Sequence, residues 1–272
     1  MHPKDLMIYS DMDGTLLSSW DKGPIISPKN EQAIRDFIDE GGLFSIATGR
    51  NLKNGPTYLD NYTIDLPMVL VNGALIYDHT HARILRKITI DKDFVREALE
   101  YFMYSHRVAI VISDTHEVYH VVHPSISDEN LPPLDFETIH VQLSEVLALD
   151  ILKVTFVTYP EDKDQIEKDI KLFRTYDKIS TSPSSKRFIE IVSAGIDKAE
   201  GILFIKNNLL SSKRKLVCIG DYANDIEMLN LADLAAVPEN GLDSLKKPGR
   251  LITAHHDHDA IADLIHQLRH KQ

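Results

Sequence analysis

The sequence predicts a doubly wound α/β domain with a mostly parallel, Rossmann-like sheet and an α+β unit inserted into it. Short apolar runs without alternation recur in the first and last thirds of the chain, with helical patterns between several of them. Such runs are typical of parallel strands that are buried on both faces. The middle third instead has closely spaced strand patterns beside helices. At 272 residues, the chain is also long enough for two domains.

Five apolar runs form the predicted core sheet, and small or polar residues follow each of them. Ligands in open α/β sheets bind beyond the carboxyl ends of the strands. We therefore expect the polar residues after these strands to meet at one edge of the sheet. The runs cover residues 6–9, 43–47, 68–71, 216–219 and 234–237, and the residues after them are SDMDGT, TGR, NGA, GDYAND and PEN.

Helical patterns separate the core strands. Ser27 and Pro28 are typical of a helix start, apolar residues follow on one face, and Gly41 is a typical stop. Further helices are predicted from Lys198 to Leu209, directly after GDYAND, and near residues 261–268. This alternation of strands and helices indicates a doubly wound domain.

The inserted unit is predicted to combine two helices with a hairpin and three further strands. The predicted helices cover 94–106 and the region of Ile166, Ile170 and Phe173, and the predicted strands cover 108–113, 117–122, 151–158, 178–181 and 187–192. The first two of these strands form the hairpin, around three turn residues. The sequence therefore predicts a core of residues 1–80 and 190–272 and an insertion at 81–189.

Composition and charge disfavour several classes of function. Acidic residues outnumber basic residues by 41 to 30, and the formal net charge of −11 disfavours a nucleic-acid partner because phosphate backbones need Lys and Arg. Cys218 is the only cysteine, so no disulfide forms within the chain, and we expect a buried, inert thiol in a reducing compartment. No apolar stretch has the length of a signal peptide or a membrane span. We expect a cytoplasmic protein with no membrane partner.

Two carboxylates follow the first predicted strand. Asp11 and Asp13 are separated by one residue, and Gly14 permits the turn that would aim both at one point. One carboxylate can act as a nucleophile that forms an aspartyl-phosphate, and the other can protonate the leaving oxygen and then activate water. On its own, the pair is also compatible with solvated acids in a turn.

Two more carboxylates follow the strand over 216–219. Asp221 and Asp225 lie in GDYAND, at the same predicted sheet edge. Four acids cannot cluster there without strong repulsion, so a cation is expected between them. Oxygen ligands without Cys or His favour Mg²⁺. The competing interpretation is that both acids only cap the helix that follows.

Two further positions offer donors to a phosphate group. Thr48 and Gly49 end another strand, where a hydroxyl and backbone N–H groups can bind phosphate oxygens. Lys198 begins a helix and could supply positive charge to a phosphoryl transition state. The structural alternatives are a plain turn at Thr48 and a solvated lysine at position 198. Arg50 could pair with an acid, and its role stays open.

Together these motifs resemble those of the haloacid dehalogenase-like (HAD) superfamily. DMDGTL, ATGR, a lysine at a helix start and GDYANDIEML occur in that family's order, along the whole chain. More narrowly, they are similar to its Cof-type phosphatases of subclass IIB, and VNGALIYD (71–78) is similar to the segment before their cap domain. The resemblance implies a HAD core with an inserted cap of the C2, type B class. It also implies Mg²⁺-dependent hydrolysis of small phosphorylated metabolites.

The resemblance implies roles for the four acids. Asp11 would be the nucleophile, and its other oxygen would be a metal ligand. Asp13 would be the general acid/base, with its main-chain carbonyl on the metal. Asp221 would bind Mg²⁺ directly, and Asp225 would hold metal-bound water.

The resemblance also implies a phosphate-binding set. Thr48, with Gly49, would bind the phosphoryl group, and Lys198 would neutralise the charge of nucleophile and phosphate. Asn72 and Asn224 would be secondary polar contacts to the substrate. The metabolite itself stays open among sugar phosphates, polyol phosphates and phosphorylated cofactors, and the oligomeric state stays open as well.

Two positions depart from the family pattern, and one histidine run lies outside it. Ala199 follows the lysine where the family often has glycine, and PENG (238–241) is a variant of the family's Asn-Ala segment that could alter a loop beside the site. His255, His256 and His258 lie in HHDHD and could bind Zn²⁺, but we favour a polar loop before the last helix.

Other functions compete with the phosphatase. A phosphomutase would use the same aspartyl-phosphate but shield it from water, which the sequence does not distinguish. A non-catalytic metabolite-binding regulator is disfavoured because buried, unused acids are costly. A dehalogenase would need neither a second catalytic Asp nor metal-binding acids.

The insertion is expected to act as a lid that selects the substrate. The core motifs can recognise phosphate and metal, but nothing in them distinguishes one leaving group from another. Side chains available for contact with a polar ligand are Tyr119, His120, His123 and Arg187.

Overall fold

The structure is a computed structural model, and it describes residues 1–20, 23–59, 64, 66–122, 125–126, 130–210 and 213–271. The strands are β1 (Leu6–Ser10), β2 (Leu17–Trp20), β3 (Gly23–Ile26), β4 (Leu43–Ile46), β5 (Met68–Leu70), β6 (Leu75–Asp78), β7 (Arg83–Lys87), β8 (Val108–Ser113), β9 (Val118–Val122), β10 (Ile139–Gln142), β11 (Lys153–Thr158), β12 (Ile179–Pro183), β13 (Phe188–Ser193), β14 (Lys215–Ile219), β15 (Leu234–Pro238) and β16 (Leu251–Thr253). The α-helices are α1 (Pro28–Asp39), α2 (Lys92–Phe102), α3 (Leu143–Val146), α4 (Lys163–Ile170), α5 (Lys198–Asn208), α6 (Ile226–Leu231) and α7 (Ala260–His270).

The core sheet is parallel throughout and has the order β16-β15-β14-β1-β4. Alternate residues of its central strand β1 face opposite layers. Leu6 and Ile8 pack in one apolar cluster with α1 and α7, while Met7 and Tyr9 pack in another with α5 and α6. Burial on both faces explains why the strand has an unbroken apolar run. The predicted doubly wound α/β core is confirmed.

Two short antiparallel units accompany the core sheet. β5, β6 and β7 form a three-stranded sheet, and β2 pairs with β3 as a hairpin. β5 also continues the parallel sheet through a bridge between Ala47 and Val69. The strand predicted at 68–71 corresponds to β5, but its antiparallel pairing and the β2–β3 hairpin were not predicted. β7 has no apolar pattern because it is charged and largely exposed.

The insertion carries a six-stranded sheet with the order β10-β9-β8-β11-β13-β12. The predicted hairpin is present, with Val111 paired to His120 across β8 and β9. β10 adds in parallel to β9 and was not predicted. Helix α2 ends at Phe102, so the predicted extension to His106 is wrong, and the residues after Met103 form a turn.

The change from the strands around the core to the inserted sheet falls between β7 and β8. β7 pairs with β6, and every strand from β8 to β13 belongs to the six-stranded sheet. The division into a core of 1–80 and 190–272 and an insertion at 81–189 stays a prediction. One face of the inserted sheet packs on α2 and α4, and its other face lies over the carboxyl ends of the core strands. None of the helices in the described ranges is long and apolar enough to cross a membrane.

Candidate active site

Lys198 is the centre of the charged cluster at the carboxyl edge of the core sheet. Its Nζ lies 2.5 Å from Oδ1 of Asp11 and 2.6 Å from Oδ1 of Asp225. The side chain is 1% exposed, at the first turn of α5. The alternative of a solvated lysine at this position is therefore wrong. Asp197 caps α5 by accepting a hydrogen bond from the Glu200 N–H, so the helix start that presents Lys198 is defined locally.

Asp11 and Asp221 come from adjacent strands. The Asp11 N–H donates to the carbonyl of Ile219, which joins the ends of β1 and β14. Asp221 follows β14, and its Oδ1 accepts a hydrogen bond from the Thr15 hydroxyl at 3.0 Å. Gly14 has φ of +79°, and a Cβ at that position would lie 2.5 Å from Oδ2 of Asp221. The turn after β1 therefore needs glycine, both for its conformation and for the close approach of Asp221.

Asp225 is buried with both carboxylate oxygens engaged. Oδ1 accepts from Lys198, and Oδ2 accepts from the backbone N–H groups of Asp221 and Tyr222 at 3.0 and 3.1 Å. A Cβ at Gly220 would lie about 2.4–2.6 Å from the Asp225 side chain. Asp225 thus binds both the turn after β14 and the Lys198 ammonium group. Its role is therefore larger than that of a residue that only caps a helix.

The electrostatics of the cluster follow from burial and crowding of like charges. Burial raises the pKa of Asp11 well above its ordinary value, and the neighbouring carboxylates raise it further against the effect of Lys198. Burial and the charge of Asp225 raise the pKa of Asp221 to about 6. Burial alone would lower the pKa of Lys198, but Asp11 and Asp225 outweigh burial and raise that pKa. Lys198 is therefore cationic, and the acids around it remain in excess.

The acids of this cluster fit a hard divalent cation. Asp11, Asp221 and Asp225 each bring a carboxylate oxygen within 4.8 Å of the others. Such an oxygen-only set with surplus negative charge suits Mg²⁺. Among the described residues, both oxygens of Asp225 are already hydrogen-bonded, whereas Asp11 and Asp221 each have an oxygen with no such partner. Asp11 and Asp221 are thus the side chains suited to direct contact with a cation.

Asp13 lies at the mouth of the site and is bound by Arg50. Its side chain is 59% exposed, and both of its oxygens accept hydrogen bonds from the guanidinium group. Arg50 in turn donates to the carbonyl of Asn54 and lies 5.0 Å from the centre of the Tyr58 ring. The role of Arg50, which the sequence left open, is to pair with Asp13.

The turn after β4 and the segment after β5 meet behind the phosphate-binding candidates. Thr48 donates its N–H to Val69 and accepts from the N–H of Asn72, both at 2.9 Å. The Thr48 hydroxyl also accepts the Arg50 N–H at 3.2 Å, and Thr48 and Gly49 line the cleft. Asn72 is 3% exposed, does not line the cleft, and donates to Glu190 instead.

A cleft of about 660 Å³ lies between the acidic cluster and the inserted sheet. From the core it is lined by Asp11, Asp13, Thr48, Gly49, Arg50, Asn51, Asn54, Asp221, Tyr222 and Asn224. From the six-stranded sheet and its loops it is lined by Val111, Ser113, Val118, Phe136, Glu137, Lys153, Thr155, Ser184, Ser185, Phe188 and Glu190. The structure therefore brings Asp11, Asp13, Asp221, Thr48, Gly49 and Asn224 to one cleft. Lys198 and Asp225 are buried beside Asp11 and do not line the cleft.

The insertion contacts the phosphate-binding turn through a buried ion pair. Lys153 of β11 binds Glu190 of β13, and its Nζ also lies 2.8 Å from the Gly49 carbonyl oxygen. Glu190 accepts from the Asn72 amide at 2.7 Å. Both charged side chains are about nine-tenths buried. Sequence reasoning did not select this pair, although a charged residue inside each of the apolar strands ILKVTFVT and FIEIVS was a signal for it.

The polar residues suggested for ligand contact in the insertion lie elsewhere. Tyr119, His120 and Arg187 are not among the side chains that line the cleft, and His123 lies outside the described residues. The Tyr119 hydroxyl donates to Asp114. Strand alternation accounts for Tyr119, because it lies on the opposite face of β9 from Val118, which lines the cleft.

The histidine run serves the loop before α7. The rings of His255 and His256 stack with centres 4.7 Å apart and planes 29° apart, and these two histidines and Asp257 bring ligand atoms within 4.8 Å of one another. His256 Nδ1 instead lies 2.8 Å from the Leu17 carbonyl oxygen, and Asp257 accepts the Ser19 N–H at 2.6 Å. Through these contacts the histidine run binds β2 to the C-terminal part of the chain, in agreement with the favoured polar-loop interpretation.

The two positions that depart from the family pattern, Ala199 and the PENG segment, lie in defined environments. Ala199 is buried in the apolar cluster beside α5. In the PENG segment, the Asn240 amide donates to the Gly14 carbonyl at 2.8 Å, and its oxygen accepts the His256 N–H. Asn240 therefore supports the turn that carries Asp11 and Asp13.

Comparison with known proteins points to a hydrolase family. The profile of the haloacid dehalogenase-like hydrolase family matches residues 8–265. A 5-amino-6-(5-phospho-D-ribitylamino)uracil phosphatase of Bacillus subtilis, YitU, is 28% identical, with 96% of this chain and 97% of the relative covered. A chloroplastic endoribonuclease YBEY of Arabidopsis thaliana is 29% identical over 97% of this chain, and the chain spans only 47% of that protein's length.

Solved structures show the same fold. A protein of Streptococcus mutans superposes with a TM-score of 0.80 at 22% identity, covering 97% of this chain and 99% of its own. A HAD subclass IIB sugar phosphatase superposes with a TM-score of 0.79 at 20% identity, covering 97% and 98%. Given the family match over nearly its whole length, the chain belongs to the haloacid dehalogenase-like hydrolases, and within that family it is a phosphatase-type enzyme.

Proposed function

We propose that this chain is a Mg²⁺-dependent phosphatase of small phosphorylated metabolites that works through an aspartyl-phosphate on Asp11. The observation that carries the proposal is the position of Lys198 between Asp11 and Asp225, with Asp221 beside them, at the floor of a cleft. A buried cation that orients one carboxylate is expected for a nucleophile that must approach an anionic phosphate.

In the first step, a carboxylate oxygen of Asp11 attacks the phosphorus atom. The Asp11–phosphorus bond forms as the bond from phosphorus to the ester oxygen breaks. Lys198 lies against the Asp11 carboxylate and offsets the charge that builds on the phosphoryl oxygens. Thr48 and the backbone at Gly49 face the same cleft and are assigned to the phosphoryl group, with Asn224 as a secondary contact.

Asp13 is assigned to the proton transfers. It donates a proton to the departing ester oxygen and later takes one from the water that attacks the phosphoaspartate. That attack breaks the bond between Asp11 and phosphorus and releases inorganic phosphate. The exposed position of Asp13 at the cleft mouth gives its carboxyl group access to both oxygens while Arg50 orients it.

Mg²⁺ would be held by Asp11 and Asp221, with the Asp13 carbonyl as the resemblance implies and Asp225 behind them. When bound, the ion would neutralise charge on the phosphoryl group and on the acids. Lys198 neutralises only part of that charge, since it serves two carboxylates.

Small phosphorylated metabolites are supported as substrates by the relatives and by the cleft. The B. subtilis relatives are named as phosphatases of a ribitylamino-uracil phosphate, and a structural neighbour is named as a sugar phosphatase. The acidic balance of the chain argues against a nucleic-acid substrate, although one relative is named as an endoribonuclease.

Phosphate release from a panel of metabolites, with Mg²⁺ and with EDTA, tests the function. We expect release only with the metal, and we expect mass spectrometry after borohydride reduction to find the phosphorylated residue at Asp11. Transfer of the phosphoryl group to a second position of the same metabolite, without release, would assign a mutase. Ligand binding with neither release nor labelling would assign a binding protein.

A further inference from the structure

The segment that follows β4 is bound to the tip of the β8–β9 hairpin. The Leu52 N–H donates to the Thr115 carbonyl at 3.0 Å, and the Asn51 amide donates to the His116 carbonyl at 2.8 Å. Both contacts follow directly after the arginine that binds the proposed acid/base. The hairpin tip is therefore placed to influence the geometry of that acid.

Asn51 is the buried member of this contact. It is only 3% exposed, whereas the side chains of the neighbouring Lys53–Glu117 ion pair are 58% and 33% exposed. An exposed ion pair contributes little to stability, but a buried amide needs partners for both its nitrogen and its oxygen. Asn51 has both, because its nitrogen donates to the hairpin and its oxygen accepts the Asn54 N–H at 3.2 Å.

The same residue closes the turn that holds Arg50. The Asn51 carbonyl accepts the Gly55 N–H at 2.9 Å, and together with the side-chain contact to Asn54 this bond closes the turn at 51–55. The Asn54 carbonyl in that turn accepts a hydrogen bond from Nη1 of Arg50 at 3.2 Å. A chain of hydrogen bonds thus runs from the hairpin through Asn51 and the turn to the guanidinium group.

Arg50 needs such support if it is to orient Asp13. Asp13 is exposed at the cleft mouth, and an ion pair in contact with solvent does not by itself hold a long side chain in one geometry. The two-point contact with Asp13 therefore depends on what else holds the guanidinium group, namely the Asn54 carbonyl and the Tyr58 ring. The carbonyl links that support to the hairpin, so its displacement would loosen Arg50.

We propose that Asn51 is a positioning residue that orients Asp13 through Arg50, and that it does so only while its amide is bound to the β8–β9 hairpin. This inference rests on the proposed phosphatase function, in which Asp13 donates a proton to the ester oxygen. The inserted sheet then takes part in acid catalysis without touching the reacting atoms. Asp13 is oriented when the sheet lies over the cleft, and its orientation is lost when the hairpin leaves the turn.

Asn51→Asp tests the contact with the hairpin. An aspartate has the shape of asparagine and keeps an oxygen for the Asn54 N–H, but it does not donate to the His116 carbonyl. We expect kcat to fall about tenfold for the best alkyl phosphate substrate and much less for p-nitrophenyl phosphate, whose leaving group needs little protonation, with KM little changed. A merely structural role would slow both esters equally, and that result overturns the proposal.

Two further variants separate this effect from added charge and from general loss of stability. Asn51→Ser adds no charge and does not reach the hairpin, so it should show the same dependence on the leaving group, and it serves if the aspartate variant does not fold. Asn208→Asp is the matched control, because the Asn208 amide also donates to a backbone carbonyl but lies outside the cleft lining. It should change neither ester. Wild-type kinetics for Asn51→Ser overturn the proposal.

The hairpin side of the contact is tested through Asp114. Its Oδ1 accepts the N–H groups of His116 and Glu117 at 2.8 and 2.7 Å and so shapes the hairpin tip, although Asp114 does not line the cleft. Asp114→Ala should therefore slow the alkyl phosphate more than p-nitrophenyl phosphate, as the Asn51 variants do. Equal loss for the two esters, or no loss, would show that the hairpin does not act on the acid.

A combined variant tests whether Asn51 acts through Arg50. Arg50→Lys removes the two-point contact with Asp13, so nothing remains for Asn51 to orient. The double variant Arg50→Lys, Asn51→Ser should then be no slower on the alkyl phosphate than Arg50→Lys alone. Losses that multiply would show that the two residues act independently, and they overturn the proposal.

Proton exchange at Arg50 keeps the inference testable if no ester is hydrolysed. Absence of phosphate release by the folded wild type with Mg²⁺ would count against the proposed function itself. NMR of protein with isotope-labelled arginine then measures exchange of the Nε proton that Arg50 donates to Asp13, with the signal identified from its loss in Arg50→Lys. Asn51→Ser should speed this exchange several-fold, and Asn208→Asp should leave it unchanged. Equal exchange in wild type and Asn51→Ser overturns the proposal.

Discussion

Arg50 binds Asp13 through two nitrogens of its guanidinium group, with Nε 2.8 Å from Oδ2 and Nη2 2.6 Å from Oδ1. Both oxygens of the proposed acid/base are therefore oriented by one side chain from the turn after β4. Planar, two-point pairing of this kind is a property of arginine that lysine does not reproduce. We infer that Arg50 is a positioning residue for Asp13.

Arg50→Lys should therefore slow turnover of unactivated esters by about tenfold or more, because Asp13 loses its orientation. The loss should be smaller for p-nitrophenyl phosphate, whose leaving group needs little protonation. Steady-state kinetics on both esters measure the difference. Arg83→Lys is the matched control, since Arg83 pairs with Asp78 on the surface. Identical losses for the two esters would show that Arg50 does not act through Asp13.

Asp11→Asn should abolish turnover by several orders of magnitude while the fold survives. An amide does not act as the attacking carboxylate, yet it keeps the shape of the side chain and its hydrogen-bond acceptor for Lys198. Phosphate release and circular dichroism measure the two effects. Mass spectrometry excludes deamidation back to Asp. Near-normal turnover in an intact variant would contradict the nucleophile assignment.

Asp13→Asn should slow both chemical steps, because an amide neither donates the proton to the ester oxygen nor accepts one from water. Single-turnover phosphorylation isolates the first step. An activated ester should partly rescue that step and should leave the hydrolysis of phosphoaspartate slow. Equal slowing of phosphorylation for activated and unactivated esters would argue against the acid role.

Asp221→Asn should stabilise the metal-free protein at pH 7 and above by on the order of 1–3 kcal/mol. The folded pKa of Asp221 is raised to about 6, so the stability linked to its protonation is present below the unfolded pKa near 4 and is lost as pH rises through 6. The difference between wild type and variant should therefore vanish near pH 4. Urea denaturation in EDTA across this range measures it.

When Mg²⁺ is present, the difference in stability between Asp221→Asn and wild type should change sign, because the cation stabilises the native state only where its ligands remain. Added Mg²⁺ should raise the midpoint of wild-type unfolding at pH 7.5 and should have little effect on Asp221→Asn. A lysine-to-methionine change at Lys246, in a surface ion pair, is the control for charge alone. Equal metal stabilisation of all three proteins would contradict Asp221 as a ligand.

The pair Lys153–Glu190 should show strong coupling in stability. Lys153→Met leaves the buried Glu190 without its cation and should cost about 3–5 kcal/mol in the free energy of unfolding. The double variant Lys153→Met, Glu190→Gln should recover much of this loss, because no charge remains buried. A double-mutant cycle measures the coupling. Additive losses would show that the two side chains act independently.

Much of the core was predictable because its signals are local. β1, β4, β14 and β15 lie on mostly apolar runs, since each is covered by helices on both faces. The hairpin of β8 and β9 followed from two strand patterns around a short turn. β7 and β10 escaped prediction, because short or charged edge strands carry little apolar pattern.

The sequence by itself determined the class of site. Carboxylates, a threonine and a lysine at successive strand ends must meet at one edge if the sheet is parallel, and this holds whatever the details of packing. Only the tertiary structure decided the pairing of Arg50 with Asp13, the pairing of Lys153 with Glu190, and which face of the inserted sheet meets the cleft. These relationships join residues 37 positions apart, or depend on strand register, in which a shift of one residue moves every side chain to the opposite face. Such distances are set by the packing of the whole chain, and local sequence patterns do not contain them.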